Sequence, residues 1–428
     1  MAVNITMTPA ARLSGEISVP GDKSISHRAI MLGAISRGVT RVKGFPANQD
    51  CMSTIKAFEQ MGIDIRSGNG EVLVHGKGLR GLSAPSGAID AGNSGTTARL
   101  LSGILAGQGF ESIVDGDASL RKRPMRRVIE PLSMMGAEIT ARDGGFLPLH
   151  ISGGKLRGIE YTLPVASAQV KSAILLALLY ADGPGTIHQP VASRDHTELM
   201  LKQFGCNIDV SQHSITLTPV PELYGQDITV PGDISSAAFF ITAALLVPGS
   251  YIRITNVGIN PTRTGILDVY RRMGASIGIE NVRNTEAEPV ADIIVYSSNL
   301  KGTVIEGYDI PRLIDEIPVI ALAATQAKGT TVIRDAKELK VKESDRIKTV
   351  VEMLKGFGAD ITATDDGMVI KGPANLNGCM AASTMDHRIA MTAAVAGLVA
   401  RGETVIVGAE WADISFPGYF EEINKLRS

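Results

Sequence analysis

Lys23, Ser24 and Arg28 follow directly on the turn Val19-Pro20-Gly21-Asp22, and this grouping suits the capture of an anion. Pro20 and Gly21 set a turn and Asp22 is placed to cap a helix, so Lys23, Ser24 and Arg28 fall on its opening turns. Backbone N–H groups and the positive end of the helix dipole converge there, and Ser24 and Arg28, four residues apart, share one face. The turn recurs 211 residues later, at Val230, in VPGDISSAAFF. There Ile234, Ser235 and Ser236 stand where the first copy has its charged residues. A device copied in both halves but charged in only one points to a site that lies between the halves.

Further polar groupings are spread along the chain. Gly92, Asn93, Gly95 and Thr96 in DAGNSGTTARL form a small-residue turn whose N–H groups can approach a carboxylate or phosphate, although an ordinary turn explains them equally well. Arg121, Lys122, Arg123, Arg126 and Arg127 place five cations within seven residues. Most of these fit a solvated loop, but Pro124 restricts and so aims Arg123. Ser167 and Gln169 stand at the entry to an apolar helix, as caps or as ligand contacts, and Arg194 in SRDHTE is similarly ambiguous. Asp315 and Glu316 lie between apolar runs; capping accounts for one, and a desolvated general base would account for Asp315. In VKESDRI, Lys342 and Arg346 are read as four apart on one helical face with Glu343 beside them, which a surface salt bridge would also explain. Arg388, after Asp386 and His387, is a second possible anion clamp.

The elements that must position these residues are marked by glycines. Helical patterns end at Met61-Gly62, Met135-Gly136, Phe204-Gly205, Met273-Gly274 and Phe357-Gly358, each leading into a β-prone stretch. A second mark, glycine just ahead of a strand, falls at Gly38, Gly109, Gly185, Gly249, Gly329 and Gly402, spaced by 71, 76, 64, 80 and 73 residues. This defines six repeats of about seventy residues. The sixth repeat lacks its closing strand, and Arg12 to Val19 is expected to supply it. Two domains follow, residues 21–231 and residues 1–20 with 232–428, joined by two crossings that would serve as a hinge. Solenoid repeats are shorter, roughly 20 to 50 residues, and do not close on themselves.

Composition narrows the functional classes. At 428 residues and 44% hydrophobic, the chain can bury more than one core. A net charge of −2 and 4% aromatic residues argue against nucleic-acid binding. Cys51, Cys206 and Cys379 are odd in number and have no metal-ligand spacing, which fits a reducing compartment, no disulfide framework and no metal. The N-terminus lacks a signal-peptide pattern and the apolar runs fall short of the ~20 residues that span a bilayer, so a soluble cytoplasmic protein with no membrane partner is expected. Gly21-Asp22-Lys23-Ser24 is not a nucleotide-binding P-loop, which needs glycine immediately before lysine.

Taken in order, PGDKSISHR, GNSGTTARL, KRPM, SAQVKSA, SRDHTE, LIDEIP, VKESDR and DHR resemble the 5-enolpyruvylshikimate-3-phosphate synthase family over essentially the whole chain. The resemblance implies an α/β protein of two inverse α/β domains, each of three βαβαββ units with helices packed inside sheets, closing on substrate at a two-strand hinge. It implies transfer of the enolpyruvyl group of phosphoenolpyruvate to the 5-hydroxyl of shikimate 3-phosphate, on the route to chorismate and the aromatic amino acids, with no cofactor and no metal. It further implies a shikimate 3-phosphate site of Lys23, Ser24, Arg28, Ser167, Gln169, Arg194, Asp315 and Lys342. Lys23, Asn93, Gly95, Arg123, Gln169, Arg346 and Arg388 would form the phosphoenolpyruvate site, and Asp315, Glu343 and Lys23 would be catalytic. A monomer is expected, because two linked domains complete such a site.

The chain departs from many family members at Glu338, where Asn is common, and at Ile414, where some carry Lys, and in both it is similar to the family's divergent second class. Ala168 replaces a serine that some members have, removing one phosphate contact. Gly95 leaves room for the inhibitor glyphosate. The sister enzyme that acts on UDP-N-acetylglucosamine has a cysteine before its Arg-Pro pair and Asn after its early lysine; here the loop reads DASLRKRP and Lys23 is followed by Ser24.

Overall fold

The repeat unit is seen most plainly from Ile89 to Ser152 in the computed structural model, which describes residues 3–68, 70–284 and 288–428. Strand Ile89–Asp90 leads to helix Gly95–Ala106, strand Glu111–Asp115, helix Arg126–Met134 and the hairpin Glu138–Arg142 with Phe146–Ser152. In the sheet, Ile89–Asp90 runs parallel to Glu111–Asp115, and the other neighbours are antiparallel. The same order recurs in the sheet of Glu160–Thr162, Gly185–His188, Ser214–Thr218 and Asn207–Val210. It recurs again in that of Val304–Ile305, Gly329–Ile333, Met368–Gly372 and Asp360–Ala363.

The remaining repeats take a strand from elsewhere in the chain. Arg37–Lys43 receives Asp227–Thr229 as its parallel neighbour, and Tyr251–Gly258 receives Ser14–Ser18. The last repeat is closed by Asn4–Met7, antiparallel to Thr404–Val407. This corrects the expectation that Arg12 to Val19 would close it: Arg12, Leu13 and Ser14 touch the chain end at Ser428, Arg427 and Leu426, but Ser14–Ser18 forms its strand against Tyr251–Gly258. The N-terminal stretch holds two strands rather than one because Pro9, which has no N–H to give a ladder, separates them.

By density of internal contacts the chain divides into two bodies, Gly21–Val230 and Met1–Pro20 with Pro231–Ser428, each around its own apolar core. The first centres on helices Lys23–Ala34, Gly95–Ala106 and Ala168–Leu178, the second on Ile234–Leu246, Ile317–Gln326 and His387–Val399. Unlike the amphipathic helices Gln49–Gln60 and Arg346–Gly356, these are buried nearly all round beyond their first turn and are rich in Ala, Ser, Thr and Gly. Close packing requires the small residues. A Cβ on Gly103 would stand 2.2 Å from the carbonyl oxygen of Ala173 on the neighbouring helix, so Gly103→Val would force the two apart. Around that contact Leu100, Leu101, Ile104 and Leu105 are wholly buried, each contributing about 1.5–3 kcal/mol. Outer helices end as the glycine pattern predicts: Gly62 and Gly136 take φ +84° and +104°, a left-handed stop that other residues resist. Among the described residues no helix is long and apolar enough to cross a membrane.

Candidate active site

In the body Gly21–Val230, Asp22 caps helix Lys23–Ala34 by accepting from the Ile25 N–H at 2.9 Å, which sets Lys23 on the first turn. The Lys23 ammonium donates to Asp50 Oδ2 at 2.8 Å and stays partly exposed. Arg28, one turn further in, is buried. It donates to the Ser24 carbonyl at 2.8 Å, to Thr197 Oγ1 at 2.5 Å and to Ser172 Oγ at 2.8 Å, so three helices meet at one guanidinium. Behind it His27 shares a short hydrogen bond with Thr54, and burial lowers its imidazole pKa to about 3, keeping it neutral.

The turn ahead of helix Gly95–Ala106 is held by Arg123. Its guanidinium donates to Asn93 Oδ1 at 2.6 Å, while the Asn93 amide donates to Asp117 at 2.7 Å. Arg123 is itself buried and extended, with ψ 133°, as the following Pro124 demands. Its neighbours answer to the solvated-loop reading: Arg121 pairs with Asp115, and Lys122 and Arg126 are exposed. Gly95 is the first helical residue, and a Cβ there would lie 3.0 Å from Arg99 Nη1 and 3.6 Å from Arg123 Nη1. Arg99, which sequence reading passed over, donates to Gln169 Oε1 at 2.6 Å. Gln169 in turn donates to Thr96, which links the second and third inner helices. Ser167 caps helix Ala168–Leu178, accepting from Val170 N–H at 3.4 Å, so the capping alternative describes its present contact. Arg194 is half-buried in the loop before helix His196–Gln203.

In the other body the charged residues gather on Asp315 and Arg346. Asp315 Oδ1 accepts from Lys342 Nζ at 3.1 Å and lies 3.3 Å from Arg346 Nη1. Arg346 also donates to Glu343 Oε2 at 2.6 Å and to both oxygens of Asp386. The predicted single helical face for Lys342 and Arg346 is corrected: Lys342 follows the short 3₁₀ helix Lys337–Val341, and Arg346 opens the separate helix Arg346–Gly356. They converge through a loop, not through helical spacing. Asp386 caps helix His387–Val399 at the Arg388 N–H, and Arg388 donates to the Asp315 carbonyl at 2.8 Å.

Burial disfavours charge on Arg346, but Asp386, Glu343 and Asp315 outweigh it and hold the guanidinium above its ordinary pKa. Burial likewise pushes Asp386 up, yet Arg346 overcomes it and leaves the carboxyl below the usual range. Both side chains are therefore charged at neutral pH.

The echo of the first turn is also charged, contrary to the sequence reading. Asp233 caps Ile234–Leu246, and Arg263 reaches it from a distant segment, donating to Asp233 at 3.0 Å and to Ser235 Oγ at 2.9 Å. Ser235 in turn bonds buried Glu316, which stands at a helix start without capping it by its side chain. Nothing in the sequence near residue 233 announces Arg263; only the fold brings it there. Among the described residues no group of three or more His, Cys, Asp or Glu is placed to hold a metal ion. A cleft elsewhere in the first body, lined by Arg37, Lys77 and Arg80, shares no residue with these groupings. Its arginines pair with Glu222 and with the Gly107 carbonyl at a helix end.

Two bodies of βαβαββ repeats with helices inside sheets form the inverse α/β fold of the enolpyruvyl transferases. Within that class the chain belongs to the EPSP synthase (3-phosphoshikimate 1-carboxyvinyltransferase) family, whose model it matches over residues 7–423. It is 55% identical over 415 residues to 3-phosphoshikimate 1-carboxyvinyltransferase of Bacillus thuringiensis subsp. konkukian, covering 97% of each chain. It is 53% identical over 427 residues to that of Desulforudis audaxviator, covering 99% of this chain and 100% of the other. A solved EPSP synthase structure from Acinetobacter baumannii superposes with a TM-score of 0.88 at 45% identity, covering 100% of this chain and 98% of that one.

Proposed function

We propose that this protein transfers the enolpyruvyl group of phosphoenolpyruvate to the 5-hydroxyl of shikimate 3-phosphate and releases phosphate by addition and elimination. The observation that carries this is the pair of carboxylates, Asp315 and Glu343, both tethered to the buried Arg346, with Lys342 and Arg388 beside them. Family membership supports it independently.

In the addition, the 5-hydroxyl oxygen bonds to C2 of phosphoenolpyruvate, its proton passes to Asp315, and C3 gains a proton from Glu343 to become a methyl group. In the elimination Glu343 takes a methyl proton back, the C2–C3 double bond re-forms and the C2–O bond to phosphate breaks, with Lys23 assisting the leaving group. Arg123, Arg346 and Arg388, with the Gly95 turn and Asn93, neutralise phosphoenolpyruvate; Ser24, Arg28, Ser167, Gln169, Arg194 and Lys342 hold shikimate 3-phosphate. These residues are divided between the two bodies, so catalysis requires both to engage the same pair of substrates. One chain then suffices, and the protein acts as a monomer in the cytoplasm.

The reaction run in D₂O tests the mechanism. Reversible protonation at C3 places deuterium in the vinyl group of the product; a product formed with no deuterium there contradicts it.

A further inference from the structure

Lys171 lies on helix Ala168–Leu178 with its side chain wholly buried, and its ammonium meets three acceptors. Glu198 Oε1 is 2.6 Å away, Gln189 Oε1 3.1 Å and the Ser193 carbonyl 3.3 Å. The ammonium donates hydrogen bonds to Gln189 and to the Ser193 carbonyl, and Glu198 balances its charge as an ion-pair partner. Glu198 is buried on helix His196–Gln203, and Gln189 begins the loop that joins strand Gly185–His188 to that helix. Gln189 also accepts from the Ser193 N–H at 3.5 Å. The loop is thus fastened at its first residue and again at Ser193, whose next neighbour is Arg194.

A second tie crosses the same two helices. Arg28 joins Ser172 to Thr197, the residues adjacent to Lys171 and Glu198. Buried ion pairs are costly, and an apolar pair of similar volume commonly holds two helices as well or better. Apolar residues could not, however, bind the Ser193 carbonyl or Gln189. We infer that Lys171 is a positioning residue: it fixes the backbone at Ser193 and thereby aims Arg194 at the phosphate group of shikimate 3-phosphate. This rests on the functional reading above.

The test compares binding of shikimate 3-phosphate with binding of shikimate, which lacks the phosphate, to the full chain by calorimetry. Two variants are used. Lys171→Met with Glu198→Leu replaces the buried pair by apolar residues, and Gln189→Met loosens the loop while leaving the pair intact should the first fail to fold. Loss of a charge-assisted phosphate contact lowers affinity for shikimate 3-phosphate by about tenfold to a hundredfold. Affinity for shikimate stays within about twofold. Equal losses for both ligands, or no loss for either, overturn the inference. An unsubstituted chain that binds neither ligand, or both equally, instead overturns the functional reading, and the inference with it.

Discussion

Arg346 and Asp386 face each other through two hydrogen bonds, Nε to Oδ2 at 2.9 Å and Nη2 to Oδ1 at 3.2 Å, with both side chains closed off from solvent. Asp386 also caps the helix that carries Arg388, so one carboxylate orients two arginines. Removing it by Asp386→Ala leaves a buried guanidinium without the partner that holds it through two hydrogen bonds. A loss of about 3–5 kcal/mol is expected in urea unfolding of the body that contains it. Asp386→Asn, which retains an acceptor, is expected to lose less while still raising KM for phosphoenolpyruvate.

This pair also sets an acid limit. The folded pKa of Asp386 is lowered, so its contribution to stability is complete above the unfolded value near pH 4 and is lost as pH falls through the folded value. Urea midpoints measured from pH 5 downward should fall less steeply in Asp386→Asn than in the parent.

His27 acts in a higher window. Buried beside Lys23, Arg28, Asp22 and Asp50, it is held to about 3, against an ordinary 6.5. The unfolded chain therefore binds a proton first, and stability falls as pH drops from about 6.5 towards 3, at up to roughly 1.4 kcal/mol per pH unit. His27→Asn should flatten that part of the profile; an unchanged slope would assign it to other groups.

Gly95→Ala places a methyl group 3.0 Å from Arg99 Nη1 and 3.6 Å from Arg123 Nη1. The methyl group takes space at the turn proposed to hold phosphoenolpyruvate, and the Arg99 end must give by a few tenths of an ångström, while Arg123 stays in ordinary contact. KM for phosphoenolpyruvate is therefore expected to rise by about tenfold, with inhibition by glyphosate weakened and KM for shikimate 3-phosphate raised less. Steady-state kinetics with each substrate varied in turn checks this.

Asp315→Asn and Glu343→Gln test the division of the two proton transfers proposed for these residues. Each should lower kcat by about 10²- to 10⁴-fold. In a single turnover, Glu343→Gln is expected to slow incorporation of deuterium at C3 more than Asp315→Asn does. Identical defects at every step would remove the division of roles.

Much of the fold was legible because its punctuation is local. A left-handed stop at a helix end strongly favours glycine, so Gly62, Gly136, Gly205, Gly274 and Gly358 count repeats without any knowledge of tertiary contacts. The cap at Asp22 was legible for the same reason, and at Ser167 a cap was one of the two readings left open. The partners that cross the sequence were not. Arg99, Lys171 with Glu198, and Arg263 look like ordinary helix or loop charges until the fold brings acceptors to them. Lys342 and Arg346 show the opposite error, since a four-residue spacing gave a helical face where the chain forms a loop. The strand at Asn4–Met7 was hidden because four residues carry too little alternation to be read alone.

The most direct test is phosphate release from phosphoenolpyruvate by the purified protein without nucleotide, in the presence of shikimate 3-phosphate, UDP-N-acetylglucosamine or no acceptor. Release only with shikimate 3-phosphate, matched by an equal amount of enol ether product, is the expected result. Release with the UDP sugar, or silence with both acceptors from folded protein, would contradict the assignment.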